Sequence, residues 1–135
     1  LNPLKARCAL QSIFHPGYQS VHREASRLLG DTCIVVKGDG GEIEINPDTA
    51  SHLYGTAQGV NWDEEWPALS AQRHVKPSSL EPEHLKALWR GDVEDSYPQL
   101  ALLSTIALAL RGLGTPRKQA FELAQCYWDN RNKSI

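Results

Sequence analysis

The chain has no methionine among its 135 residues, and only three cysteines. Cys8, Cys33 and Cys126 lie far apart, with no CxxC pair and no metal-ligand spacing, which excludes a disulfide framework and a zinc ribbon. They are expected to be buried free thiols in a reducing cytoplasm. Without a methionine, Leu1 is not a translated start. The opening Asn2-Pro3 leads almost at once into the apolar run Cys8–Phe14. The expectation is therefore a C-terminal part of a longer protein. No apolar run approaches the ~20 residues of a membrane span, and residues 1–11, with Lys5 and Arg7, lack a signal-peptide core. Nor is there a strong excess of either charge, with 14 Lys and Arg against 16 Asp and Glu. A net charge of −2 gives no bulk electrostatic footprint for nucleic acid, though a local patch stays open. His15, His22, His52, His74 and His84 form no HxxxH or HExxH pair. GxSxG, GxGxxG and a P-loop lysine pattern are all absent, as are repeats and low-complexity tracts.

What is present is a chain of one-domain length, 41% apolar and 22% charged, a globular composition. Cys8–Phe14 reads as a strand, His15-Pro16-Gly17 as a turn, and Thr32–Lys37 as a second, buried strand. Between them Tyr18, Val21, Ala25, Leu28 and Leu29 recur at helical spacing, with Gly30 as a fitting stop. This order predicts two neighbouring parallel strands joined by a helix. Glu42–Ile45 alternates Glu-Ile-Glu-Ile, the period of a strand with one wet face. Ala50–Ala57 is a possible further strand, and Gln58–Leu69 reads as irregular. Ser70–Ser79 reads as a polar connection.

The remainder is helical. Ser79–Arg90 has a cap-like serine, acids in its first turn and Gly91 after its last. Tyr97–Leu113 is nearly all apolar from Leu100 to Leu110 and reads as a buried helix. Thr115-Pro116 starts a last helix as N-cap and N1, with Ala120, Leu123, Ala124 and Tyr127 along one face. The fold class is α/β: a partial parallel sheet with flanking helices and a helical C-terminal third, part of a larger domain.

The most telling stretch is Cys33-Ile-Val-Val-Lys-Gly-Asp-Gly-Gly-Glu-Ile-Glu-Ile-Asn-Pro47. A buried strand here delivers a glycine-rich, acidic turn to its carboxyl end, where open α/β sheets place ligands. Lys37, Gly38 and Asp39 are the candidate ligand contacts. Glu42 and Glu44, on one face of the expected strand, are candidates for a hard cation such as Mg2+. A polar hairpin with a solvated face is the alternative. Arg73-His74-Val75-Lys76 could touch phosphates or form a solvated loop. Trp62, Trp66, Trp89 and Trp128 could stack bases or pack the core and rim.

In order and wording these pieces resemble the C-terminal part of the anthranilate phosphoribosyltransferase family. Asn2-Pro3-Leu4 is similar to the end of a Gly-Pro-Leu-x-Asn-Pro-like loop. Val35–Ile45 is similar to the strand and acidic loop, and Tyr97–Leu110 to a late buried helix. Family enzymes carry a Val-Val-His-Gly-x-Asp-Gly-Leu-Asp-Glu-like motif whose Asp-Glu pair binds magnesium with phosphoribosyl pyrophosphate. Here Lys37 replaces the His, Ile43 stands where the Asp belongs, and Glu44 alone matches. Glu64–Pro67 and Leu88–Asp92 resemble phrases of a divergent subgroup, some of whose members bind nucleic acid. The resemblance implies transfer of a phosphoribosyl group to an amine in the intact protein, a cytoplasmic homodimer. Magnesium would be the cofactor. Single-stranded nucleic acid is the alternative partner. Residues 1–135 would then lack the N-terminal helical domain and the phosphate loop, and would be inactive alone.

Overall fold

The computed structural model describes residues 2–75 and 81–134. Strands β1 (Ala9–Ile13), β2 (Cys33–Lys37), β3 (Ser51–Ala57) and β4 (Val60–Trp66) form one sheet in the order β1-β2-β3-β4. β1 and β2 pair parallel, with Ala9 opposite Cys33, and helix α1 (Gln19–Leu28) joins them as the sequence predicts. The parallel part stops there. β3 pairs antiparallel with β2, and β4 with β3, so the sheet is mixed. Helices α2 (Pro82–Arg90), α3 (Ser96–Gly112) and α4 (Arg117–Asp129) complete the fold.

β2 is buried on both faces, the usual condition of a strand with helices above and below. Ile34 and Val36 join Leu53, Trp66, Leu103, Leu108, Ala120, Ala124 and Trp128 in the larger core, beneath α3 and α4. Cys33 and Val35 pack with Ile13 in a smaller one. On α4 the inward face is Ala120, Ala124 and Trp128, spaced at i, i+4, i+8, while Tyr127 is exposed. The predicted face was therefore misaligned at its last member. Cys126 is exposed too, against the expectation of three buried thiols.

Three further readings change. Gln58–Leu69 is not irregular: β3 and β4 form a hairpin through Gln58 and Gly59, with φ of 51° and 77°. Positive φ at both central residues is what a tight two-residue hairpin turn requires. Trp62, Glu64 and Trp66 form the more buried side of β4, an alternation that the Asp63-Glu64-Glu65 run masks. Glu42–Ile45 is not a strand; the chain folds back over Gly38 instead. A side chain at Gly38 would collide with the Glu42 backbone, so only glycine permits this return. The last helix begins at Arg117, with Pro116 rather than Thr115 at its N-cap position. The cap expected at Ser79 lies outside the described residues; α2 has Glu81 at its N-cap position and left-handed Gly91 at its end.

Helix α1 inverts its amphipathicity. Tyr18, Val21, Leu28 and Leu29 are all more than half exposed, while the less exposed side carries His22, Arg23 and Ser26. Polar partners explain it. His22 Nδ1 and Ser26 Oγ both bond the Gln11 side chain, and Arg23 reaches Asp63 at 2.7 Å. The apolar stripe lies beside β1, an edge strand of the sheet.

Candidate functional site

The loop between β2 and β3 begins where the carboxyl ends of the two parallel strands meet. The Gly38 N–H donates to the Ile13 carbonyl at 3.2 Å, and Ser12 Oγ donates to the Glu42 carbonyl at 2.6 Å. Both bonds tie the loop to the end of β1. The Ile45 N–H donates to Thr105 Oγ1 on α3 at 3.1 Å, and Ile43 packs against the larger core. The loop is thus a clamped shelf. The isoleucine at 43 has a packing role that an aspartate could not fill.

The five predicted site residues divide. Lys37 is exposed at the end of β2, with Nζ 3.4 Å from the Gly38 carbonyl. The Glu42 carboxylate turns back on its own loop, accepting the N–H groups of Asp39 at 3.2 Å and Gly40 at 2.6 Å. Hydrogen bonds from its own backbone amide, and then from those of Gly40 and Asp39, outweigh burial and hold its carboxyl below the usual range. Asp39 Oδ2 accepts from Asn46 Nδ2 at 2.6 Å. Glu44 is exposed and makes no hydrogen bond to the described residues.

Lys37, Gly38, Asp39, Glu44, Asn46, His52 and Tyr54 line one cavity of about 380 Å³. It opens at the carboxyl ends of β1 and β2 and the start of β3. Inside it the His52 and Tyr54 rings stack, with centroids 4.4 Å apart and planes 20° from parallel. Arg23 lies 5.8 Å from the Tyr54 ring. A second, apolar cavity of about 590 Å³ runs between the loop and helices α2 and α3, with Leu88, Trp89, Tyr97 and Leu102 in its wall and Glu42 and Glu44 at its rim.

Among the described residues no three His, Cys, Asp or Glu side chains converge as a metal-holding group. Glu42 is committed to backbone amides and Asp39 has one oxygen engaged, which leaves Glu44 and the outer Asp39 oxygen. That donor set fits only a magnesium ion that brings most of its oxygens from diphosphate and water.

Of the four tryptophans, Trp66 and Trp128 are buried and Trp62 and Trp89 half-buried. Each is engaged by protein: Arg111 lies 4.5 Å from the Trp62 ring and Arg131 3.6 Å from that of Trp128. Trp89 donates to the Asn132 carbonyl, and the Trp66 ring packs tilted against Phe121, centroids 5.0 Å apart and planes at 52°. Of the Arg73–Lys76 segment, Lys76 lies outside the described residues. His74 is no solvated loop residue. Its ring Nδ1 lies 2.8 Å from Asp48 Oδ1, and its backbone N–H donates to Asp48 Oδ2 at 2.6 Å. Burial raises the Asp48 carboxyl, but these bonds and the nearby positive charge outweigh it and leave it below its usual range. His74 Nε2 in turn lies 3.4 Å from Ser96 Oγ. The residues are 26 and 22 positions apart, so no local motif could reveal them.

No protein-family model matches the chain, and no curated protein does.

Proposed function

We propose that the chain is the C-terminal part of an anthranilate phosphoribosyltransferase-like α/β domain, and that the cavity at the carboxyl ends of β1 and β2 receives phosphoribosyl pyrophosphate. The observation that carries this reading is the convergence, at the end of a parallel pair, of the Lys37 ammonium with a glycine loop. A cation and close backbone suit a phosphorylated sugar, and this end of a parallel sheet is where such ligands bind. Magnesium, carried in with the diphosphate, would be held by Glu44 and the outer oxygen of Asp39 and would neutralise the leaving group. Lys37 pairs with a phosphate, and the clamped loop keeps that contact in place.

These 135 residues bind without turning over. Ile43 stands where the resembled motif has its metal-binding aspartate. Orientation contributes about 7–11 kcal/mol in such reactions, and among the described residues no group is identified that positions the acceptor amine. The test is a titration of the isotope-labelled protein with phosphoribosyl pyrophosphate and magnesium, followed by amide chemical shifts. Shifts confined to 37–46, and lost in Lys37→Ala, are expected. A parallel assay with anthranilate should register no product. Shifts elsewhere only, or turnover that Glu44→Gln abolishes, would overturn the reading.

The stacked His52–Tyr54 pair favours a second reading, single-stranded nucleic acid, because base stacking on such rings contributes about 1–3 kcal/mol per base. Fluorescence anisotropy with a labelled oligonucleotide separates the two. Under this reading Tyr54→Ala weakens binding about tenfold and Lys37→Ala changes mainly its salt dependence.

A further inference from the structure

We propose that Asp48, His74 and Ser96 form an acyl-transfer site that hydrolyses short-chain carboxylic esters. The three come from the β2–β3 loop, the segment after β4 and the first residue of α3. The tertiary fold alone unites them.

The geometry follows the logic of a serine nucleophile activated by an imidazole that a carboxylate orients. Asp48, its side chain 6% exposed, grips His74 twice: one oxygen takes the backbone N–H, the other faces Nδ1. A carboxylate at Nδ1 selects the tautomer with its proton there, leaving the Nε2 lone pair directed at Ser96 Oγ. The Tyr97 ring, centred 5.1 Å away, packs against the imidazole. The 3.4 Å between Nε2 and Oγ exceeds a tight hydrogen bond. Catalytic hydrogen bonds are often this long without substrate and tighten with it.

Two further observations supply what a bare triad lacks. Ser96 is the first residue of the 17-residue helix α3, so its amide and that of Tyr97 have no acceptor within the helix. Asp95, at the N-cap position, makes no side-chain cap bond; its carboxylate turns to His84 Nε2 at 2.8 Å. The two amides therefore remain as donors for the oxyanion, at the positive end of the helix. A cavity of about 800 Å³ lies against His74, with Arg73, Asn46, Thr49 and Tyr97 in its wall, and Ser96, next to Tyr97 in the chain, is an exposed residue. An unhindered ester can reach both.

In the reaction, Ser96 Oγ bonds to the ester carbonyl carbon as its proton passes to His74 Nε2. The carbon–oxygen bond to the alcohol then breaks, and the alcohol leaves with that proton. Water attacks the acyl-serine, giving a proton to Nε2. The ester bond to Ser96 breaks, the acid departs, and the proton returns to Oγ. Ser96 and His74 are the catalytic residues and Asp48 a positioning residue.

The experiment measures hydrolysis of 4-nitrophenyl acetate by the full chain, with a fluorophosphonate probe mapped by peptide mass spectrometry. Label on Ser96 is expected, with turnover falling about 10²–10⁴-fold in Ser96→Ala, an exposed site whose change leaves the fold intact. Asp48→Asn should lower kcat with KM nearly unchanged and alter the pH–rate profile, which a merely structural role would not do. Turnover unchanged in Ser96→Ala, or label on other residues but not on Ser96, would overturn the proposal.

Discussion

Replacing Arg131 by alanine tests how the C-terminal helices are held together. Its guanidinium donates to three main-chain carbonyls: Trp89 and Trp128 at 2.7 Å each, and Leu88 at 3.2 Å. These belong to the last turns of α2 and α4, where carbonyls lack intrahelical donors and the helix end is negative. The same group lies 3.6 Å from the Trp128 ring centroid. Hydrogen bonds from a charged donor contribute about 1.5–3 kcal/mol each, and a cation over a desolvated indole such as the buried Trp128 about 2 kcal/mol. The terms do not add, since one rigid fork makes all three bonds and water reaches the half-buried site once the side chain is gone. A net loss of about 2–3 kcal/mol is expected, or roughly 6–15 °C in Tm for a chain of this size. Arg131→Lys keeps the charge without the planar fork and should recover less than half. Urea unfolding followed by tryptophan fluorescence measures both, since Trp89 and Trp128 report from the site. Alanine within about 0.5 kcal/mol of wild type, or lysine equal to arginine, would refute the capping argument.

Gly55→Ala should destabilise the sheet by about 1–3 kcal/mol, because its new methyl would run into the Trp62 indole, itself held under Arg111; thermal melts check this, and Gly55→Ala with Trp62→Val should recover part of the loss. Glu42 gives a pH prediction. Its folded-state carboxyl titrates below the ordinary 4.5, so its contribution is complete above that value and is lost as pH falls through the folded pKa. Glu42→Gln should therefore lower the neutral plateau of the stability–pH curve and flatten its acid limb, the two proteins converging at low pH, in denaturant melts taken across pH 2–7.

The sequence determined the parts that rest on local pattern. The buried run Cys33–Val36 could only be an inner strand, and the order strand, helix, strand led to a parallel pair, as found in β1, α1 and β2. Gly91 and Pro116 marked helix boundaries because their backbone preferences act locally. The tertiary structure decided what depends on distant partners. Val60–Trp66 became a strand because β3 offered it a ladder and Arg23 and Arg111 compensated Asp63 and Glu64, despite three consecutive acids. Glu42–Ile45 carried the alternation of a strand, yet with Gly38 letting the chain fold back and Thr105 taking the Ile45 amide, it formed a loop. Helix α1 turned its polar face inward because Gln11 and Asp63 waited there. Asp48, His74 and Ser96 meet only because the loop, the segment after β4 and the start of α3 converge. Periodicity reports which faces a segment has; which face finds a partner is fixed by the rest of the chain.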